Sequence, residues 1–401
     1  MTQARTEKPC GQDGKGLIMK RKDKDTAMKK ILVIILALIL CFSLVACTQG
    51  EDGSGSGGSG GTSAGGTSGG SSGGSSGTSG GSGGASGGQT YQIVYSHTNN
   101  EESSTHFFGV DLIARLDELA PGRFTQVIYS NGQLGADREN IEAVQNGDVT
   151  YTCSSTAPQA NFVTEVEVLD LPFIFNDIEA GRKTMQDERF LSVMRDAYAA
   201  KGFYLMSFVD VGFRISTTDT LAAHVPDDFK GFNMRTMENA NHMLLWRSLG
   251  ANPTPIAYTE LYTALQQGTV RGQENPYENV SVKKFYEVQD YIIGTNHVYM
   301  ASSFICNLAW YQSLDAEAQE TFDAAIAYGV DKFHDFVDSH EEVFIKEFED
   351  YGCTCYKLTP EEMSLFQEKT QPVYDSVKEH MDAINSTAYD VLVEVASGYA
   401  A

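Results

Sequence analysis

Positive charge is what this 401-residue chain has little of: Lys and Arg total 29 against 53 Asp and Glu, a net charge of −24. So acidic a chain repels phosphate backbones and anionic lipid headgroups, which excludes nucleic acid as a partner of the folded part. Any site for an anion must gather its cations locally. Catalytic and metal signatures are missing too. There is no HExxH pair, and His and acidic residues do not cluster at ligand spacing, so neither a metal nor a cofactor is expected. Most of the acidic residues fall in runs such as "HEEVFIKEFED", which read as solvated helix faces rather than as a carboxylate pair for hydrolysis.

Long apolar runs are equally scarce, and the one that stands out lies near the N-terminus. Residues 19–30, "MKRKDKDTAMKK", precede "ILVIILALILCFSLVAC" at 31–47, a basic segment followed by an uncharged run of signal-peptide length. The residues before Met19 and Met28 fit no export pattern, so translation is expected to start at one of these. The run ends in Leu44-Val45-Ala46-Cys47, which resembles the lipobox of bacterial lipoproteins. That resemblance implies that Cys47 becomes the first residue and carries diacylglycerol and palmitate-type acyl chains, with residues 1–46 forming leader and signal peptide. Removal of those residues leaves 20 basic against 49 acidic groups.

Cysteine is sparse. Cys10 and Cys41 belong to the leader with Cys47; Cys153, Cys306, Cys353 and Cys355 remain. Four thiols in an exported domain allow pairing, yet widely separated single cysteines are more often small buried hydrophobes. Cys353 and Cys355 would share one face of a strand.

Residues 47–90 read as the lipidated Cys and a tether of Gly, Ser and Thr, a flexible coil with an r.m.s. reach on the order of 35 Å. Its "GSGGSG" and "GTSAG" match a dinucleotide fingerprint and a nucleophile elbow only by chance, since neither follows a strand or opens a helix. Beyond it, strands and helices alternate. Strands are expected at 91–97, 123–130, 149–155, 203–217 and 232–236. Helices are expected at 104–120, with Phe107, Val110, Ile113, Leu116 and Leu119 at helical spacing, and at 137–147. Another is read as unbroken over 177–202, with more at 239–250 and 258–268. Residues 314–351 hold helical periodicity with no proline, a helix of ~55 Å at ~1.5 Å per residue, long enough to brace two lobes. The pattern gives an α/β fold.

Several long segments, "SNGQLGADRENIEAVQNGDV", "LDLPFIF", "GFNMRT", "LGANPTPIAYTELYTALQQGTVRGQENP" and "FYEVQDYIIGTNH", resemble in order and spacing the DctP-type solute-binding proteins of tripartite ATP-independent periplasmic (TRAP) transporters. The resemblance covers about residues 91–380. It implies a two-lobed, periplasmic-binding-protein-like fold with hinge strands. The solute-binding domain would span 91–401, with lobe 1 about 91–213 plus part of the C-terminal region and lobe 2 about 214–312. It also implies a monomeric, lipid-anchored binding protein rather than an enzyme, one that hands an organic acid to the small and large membrane subunits of a permease at the extracytoplasmic face. A sensing lipoprotein and an exported hydrolase are the alternatives.

For the site, the resemblance implies that Arg235 grips a ligand carboxylate. The chemistry supports it, because a guanidinium offers two parallel N–H donors that match two carboxylate oxygens. Arg214 matches a second family arginine, and Asn275 the asparagine of the "QENP" loop, whose amide both donates and accepts. His106, Tyr258 and Ser154 are further candidates for the cleft. "NANHM" and "YENVS" add Asn and Tyr around it, which suits a hydroxylated acid such as a uronate or another sugar acid. Arg271 departs from the family's usual Asp, which leaves the local charge pairing open.

Overall fold

The alternation of strand and helix folds into one mixed sheet covered by helices. The computed structural model describes residues 89–399; the leader, Cys47 and the Gly/Ser tract lie outside them. The strands are β1 (Tyr91–Ser96), β2 (Phe124–Tyr129), β3 (Tyr151–Ser155), β4 (Phe203–Thr218), β5 (Asn233–Thr236), β6 (Asn252–Pro255), β7 (Gly272–Asn275), β8 (Tyr291–Asn307) and β9 (Thr354–Lys357). They lie in the order β2-β1-β3-β8-β4-β7-β5-β6, with β9 also paired to β8.

Two strands make this one sheet rather than two. β4 and β8 run antiparallel along most of their length, far longer than an ordinary strand. The C-terminal half of β8 pairs with β3, from Ser302 opposite Ser155 to Cys306 opposite Tyr151. The C-terminal half of β4 pairs with β7, from Ile215 opposite Asn275 to Thr218 opposite Gly272. One lobe therefore carries β1–β3, the other β5–β7, and β4 and β8 belong to both. Midway the pairing slips between Asp210 and Phe213, where Gly212 takes φ +84°, a conformation that a side chain would resist.

The helix Ala316–Tyr351 spans both lobes. Asp315 caps its start by accepting from the Ala318 N–H at 2.9 Å, and Gly352 at φ 111° ends it. Its first half packs on the helix Ser104–Leu119, close enough at Gly329 that an added Cβ would meet the Phe108 ring at 2.9 Å. Its last turns reach the other lobe, where Phe348 joins Leu261, Val280 and Phe285 in a buried cluster. At the slip in β4, Arg182 donates to Asp210 at 2.5 Å and to Asp338 of the long helix at 2.7 and 2.8 Å. The helix is thus tied to the sheet where the strands bend.

One sequence expectation is met only in part here, and one fails. The buried face of Ser104–Leu119 holds Phe108, Leu112 and Leu116, whereas Phe107, Val110 and Leu119 are exposed. Adjacent Phe107 and Phe108 begin two competing apolar stripes, and contact with Phe304 at 3.6 Å between stacked rings favours the second. The helix expected over 177–202 is two, Ile178–Gln186 and Glu188–Ala200, because Asp187 takes extended φ/ψ and caps the second. Among the described residues Cys153, Cys306 and Cys355 are free thiols, and buried Cys353 has its Sγ 3.4 Å from the Tyr286 carbonyl oxygen.

Candidate functional site

β5 places Met234 in the core and Arg235 on the opposite face, aimed between the lobes. Arg235 is only 1% exposed. Its Nε donates to the carbonyl of Ile256 at 2.8 Å, but Nη1 is buried with no partner. No carboxylate among the described residues pairs with it. Burial lowers its pKa to about 10 and the neighbouring Arg214 adds to that, while Glu274, Tyr258 and Asp137 act in the other direction. It is still charged at neutral pH, and an unpaired charge held out of water costs several kcal/mol. An anion that reached it would remove that cost.

A cavity opens in front of this guanidinium, with about 470 Å³ free of atoms, its mouth included. From the Arg235 side it is lined by Tyr258, Asn275 and Asn279. From the other lobe come Asp137 and the polar residues Thr98, Asn99, Thr105, Ser154 and Ser155. Met300 and Ser302 of β8 form its back. Ser154 Oγ accepts from Gln159 Nε2 at 3.0 Å. Asn275 donates to Gln273 and accepts from Asn279 Nδ2 at 3.2 Å, so the three amides orient one another. The Tyr258 hydroxyl donates to the Asn279 carbonyl at 3.3 Å.

Arg214, expected as a second ligand arginine, is not among the residues that line this cavity and is engaged by Glu274. Although it is fully buried, its Nε and Nη2 both donate to the Glu274 carboxylate, the Nη2–Oε1 contact being 2.9 Å. β7 delivers Glu274 directly opposite Ser216 of β4, so the Nε–Nη2 edge of the guanidinium is occupied, while Nη1 lies 2.7 Å from the sulfur of Met300. Against the cost of burial, Arg214 and His242 hold the Glu274 carboxyl well below its usual range. His242 stands 3.6 Å from Glu274 and 3.5 Å from Asp170; although burial opposes its charge, these carboxylates raise its pKa to about 9. His297 Nε2 donates to the same Glu274 carboxylate at 3.2 Å, but burial keeps its pKa below the usual histidine value.

His106 is likewise not on the cavity: its Nδ1 lies 3.2 Å from Nε2 of buried His97, a packing contact. Asn239 and Asn241 of "NANHM" also turn elsewhere. Asn239 caps its helix and donates to Asp170 at 2.8 Å, and Asn241 donates to Glu167 at 3.3 Å. "YENVS" does contribute Asn279. Arg271 pairs with Asp219 at 3.0 and 3.1 Å and sits over the Phe232 ring at 5.2 Å, which accounts for the charge that replaces the family's Asp. Sequence reasoning missed Asp137, Thr98 and Asn99. Asp137 lay inside the quoted "LGADREN" segment, and its place as the first residue of a helix disguised it as an ordinary helix-start acid.

Three contacts tie the lobes together around the cavity. Glu278 accepts from the Ser104 N–H and hydroxyl, both at 2.8 Å. Lys283 Nζ donates to the Thr98 carbonyl at 2.6 Å, and Asn100 to the Val282 carbonyl at 2.8 Å. Burial pushes the Glu278 carboxyl up to about 7, against the pull of those Ser104 hydrogen bonds.

Comparison with known proteins agrees with this architecture. The DctP description, bacterial extracellular solute-binding protein, family 7, matches residues 95–380. A solute-binding protein of Verminephrobacter eiseniae is 35% identical over 63% of this chain and 76% of its own length. The C4-dicarboxylate-binding periplasmic protein DctP of Rhodobacter capsulatus is 34% identical over 67% of this chain and 82% of its own. Among solved structures, the sugar acid binding protein DctPAm of Advenella mimigardefordensis, in complex with galactonate, superposes with a TM-score of 0.74 at 27% identity, covering 78% of this chain and 99% of that one. A TRAP periplasmic solute-binding protein of Polaromonas sp. JS666 bound to D-erythronate gives 0.72 at 28% identity, covering 77% and 98%. Among the described residues no helix is long and apolar enough to cross a membrane. With a family match that spans most of the chain and a shared two-lobed fold, this protein belongs to the DctP family of bacterial extracellular solute-binding proteins.

Proposed function

We propose that the chain is the extracytoplasmic solute-binding subunit of a TRAP transporter, which captures an organic acid on Arg235 and delivers it to the small and large membrane subunits of the permease. One observation carries this reading: a buried guanidinium whose Nη1 has no partner faces a cavity between two lobes. A carboxylate entering there completes the fork with charge-assisted hydrogen bonds, which are stronger once water is excluded. Asn275, Tyr258 and Ser154 supply further polar contacts; Arg214 acts from behind, by holding Glu274. The polar lining suits a sugar acid, and the galactonate and D-erythronate in two similar proteins are consistent with that. Chemistry on the ligand is not required, so the protein acts by opening and closing about β4 and β8. A lipid on Cys47 and the Gly/Ser tract would hold it near the membrane as a monomer.

The test is a thermal-shift screen of organic acids on the full chain purified in detergent. A ligand that binds only the folded state raises stability by about 2.7 kcal/mol at a hundred times its Kd. Sugar acids are expected to raise the melting temperature, and their neutral lactones or alditols are not. A shift of the same size with the neutral compounds would reject the carboxylate reading.

A further inference from the structure

Asp137 is a carboxylate in a cavity built for an acid, and helix capping does not account for it. It is the first residue of the helix Asp137–Asn146, but Glu139 closes that helix end by accepting from the Ala136 N–H at 2.9 Å. Instead Asp137 Oδ1 accepts from Thr98 Oγ1 at 2.9 Å, and Oδ2 accepts no hydrogen bond among the described residues. Thr98 is itself fixed, because its carbonyl accepts from Lys283 Nζ at 2.6 Å. Asp137 and Arg235 line the same cavity from different lobes without forming an ion pair. The cavity thus offers a ligand one cation with free donors and one carboxyl with a free acceptor.

A ligand that satisfies both carries a carboxylate for Arg235 and a hydrogen-bond donor for Asp137. A second carboxylate placed near Asp137 would meet like charge in a poorly solvated space, and one of the two would have to take up a proton. The donor is a hydroxyl rather than an ammonium, because Arg235 and Lys283 already act on Asp137 and a third cation would face both. Building on the function proposed above, we infer that Asp137 sets specificity: it accepts a hydrogen bond from a ligand hydroxyl and selects hydroxylated monocarboxylates over unsubstituted dicarboxylates. Burial, opposed by the Thr98 hydrogen bond and by Arg235, raises the Asp137 carboxyl to about 6.

The experiment is calorimetric titration of the full chain with D-galactonate, D-erythronate and succinate, for the wild type, Asp137→Asn and Asp137→Ser. Wild type is expected to prefer at least one sugar acid to succinate. Both substitutions should weaken the sugar acid about tenfold to hundredfold, the range of a hydrogen bond to a charged group, while succinate binds as well or better. Melting temperatures close to wild type would show that both variants fold. If the sugar acids bind wild type but the ratio to succinate is unchanged in both variants, Asp137 is not the selector and the carboxylate reading of Arg235 stands. If wild type prefers succinate, the inference is overturned directly. If none of the three acids binds wild type, the proposed function fails and takes this inference with it.

Discussion

Arg214 and Arg235 lie on neighbouring stretches of the same sheet, both out of reach of solvent, and differ in whether the fold neutralises them. Arg214 has Glu274 across its fork; Arg235 has a carbonyl at Nε and nothing at Nη1. The lesson is that a buried arginine reads as architecture when its counter-charge is built in and as a binding group when it is not. The fold can tolerate the second kind because one unpaired guanidinium beside a polar cavity is affordable in a domain with three apolar clusters behind it.

The widest separation should come from removing each arginine. Arg214→Met leaves Glu274 buried without its main partner and is expected to cost ~3–5 kcal/mol in denaturant unfolding. Arg235→Met should leave the unliganded protein as stable as wild type or more so, and abolish the ligand-induced thermal shift; Arg235→Lys should weaken the shift strongly. Equal destabilisation by the two methionine variants would erase the distinction.

A second contrast uses pH. His242 has a folded pKa of about 9, above its unfolded value of 6.5. Its contribution is therefore complete below about pH 6.5 and is lost as pH rises through 9, on the order of 3 kcal/mol. His242→Asn should flatten the stability curve across that window, and an unchanged slope would mean that Asp170 and Glu274 do not hold its proton. A shift of about the same size acts at Glu278, which is four residues from Glu274 but shifted oppositely. Its folded pKa of about 7 lies above the unfolded 4.5, so the native state binds the extra proton and stability falls between those values as pH rises. Glu278→Gln keeps an acceptor for Ser104 and should raise the unfolding free energy at pH 8 but not at pH 4, by on the order of 1–3 kcal/mol.

Much of the fold was legible because its signals are local. β4, β5 and the long helix each announce themselves through periodicity or a terminating glycine. Where two apolar stripes compete, as at Phe107 and Phe108, periodicity alone does not say which is buried, and only the position of Phe304 settles it. The site divides in the same way. Arg235, Asn275, Tyr258 and Ser154 line one cavity as the motifs suggested, whereas Arg214 and His106 do not. Asp137 was passed over because an acid at a helix start has an ordinary explanation, and the use of Glu139 for that purpose is visible only in the hydrogen bonds.

By itself the sequence determined the α/β alternation, the scarcity of positive charge and the presence of a forked cation after a short strand, since these depend on neighbours within a few residues. Only the tertiary structure decided which cation stays free. That choice depends on Glu274, sixty residues from Arg214 along the chain and brought to it by the pairing of β4 with β7. Counter-charges are allotted by distance in space, and a linear pattern carries no record of that distance.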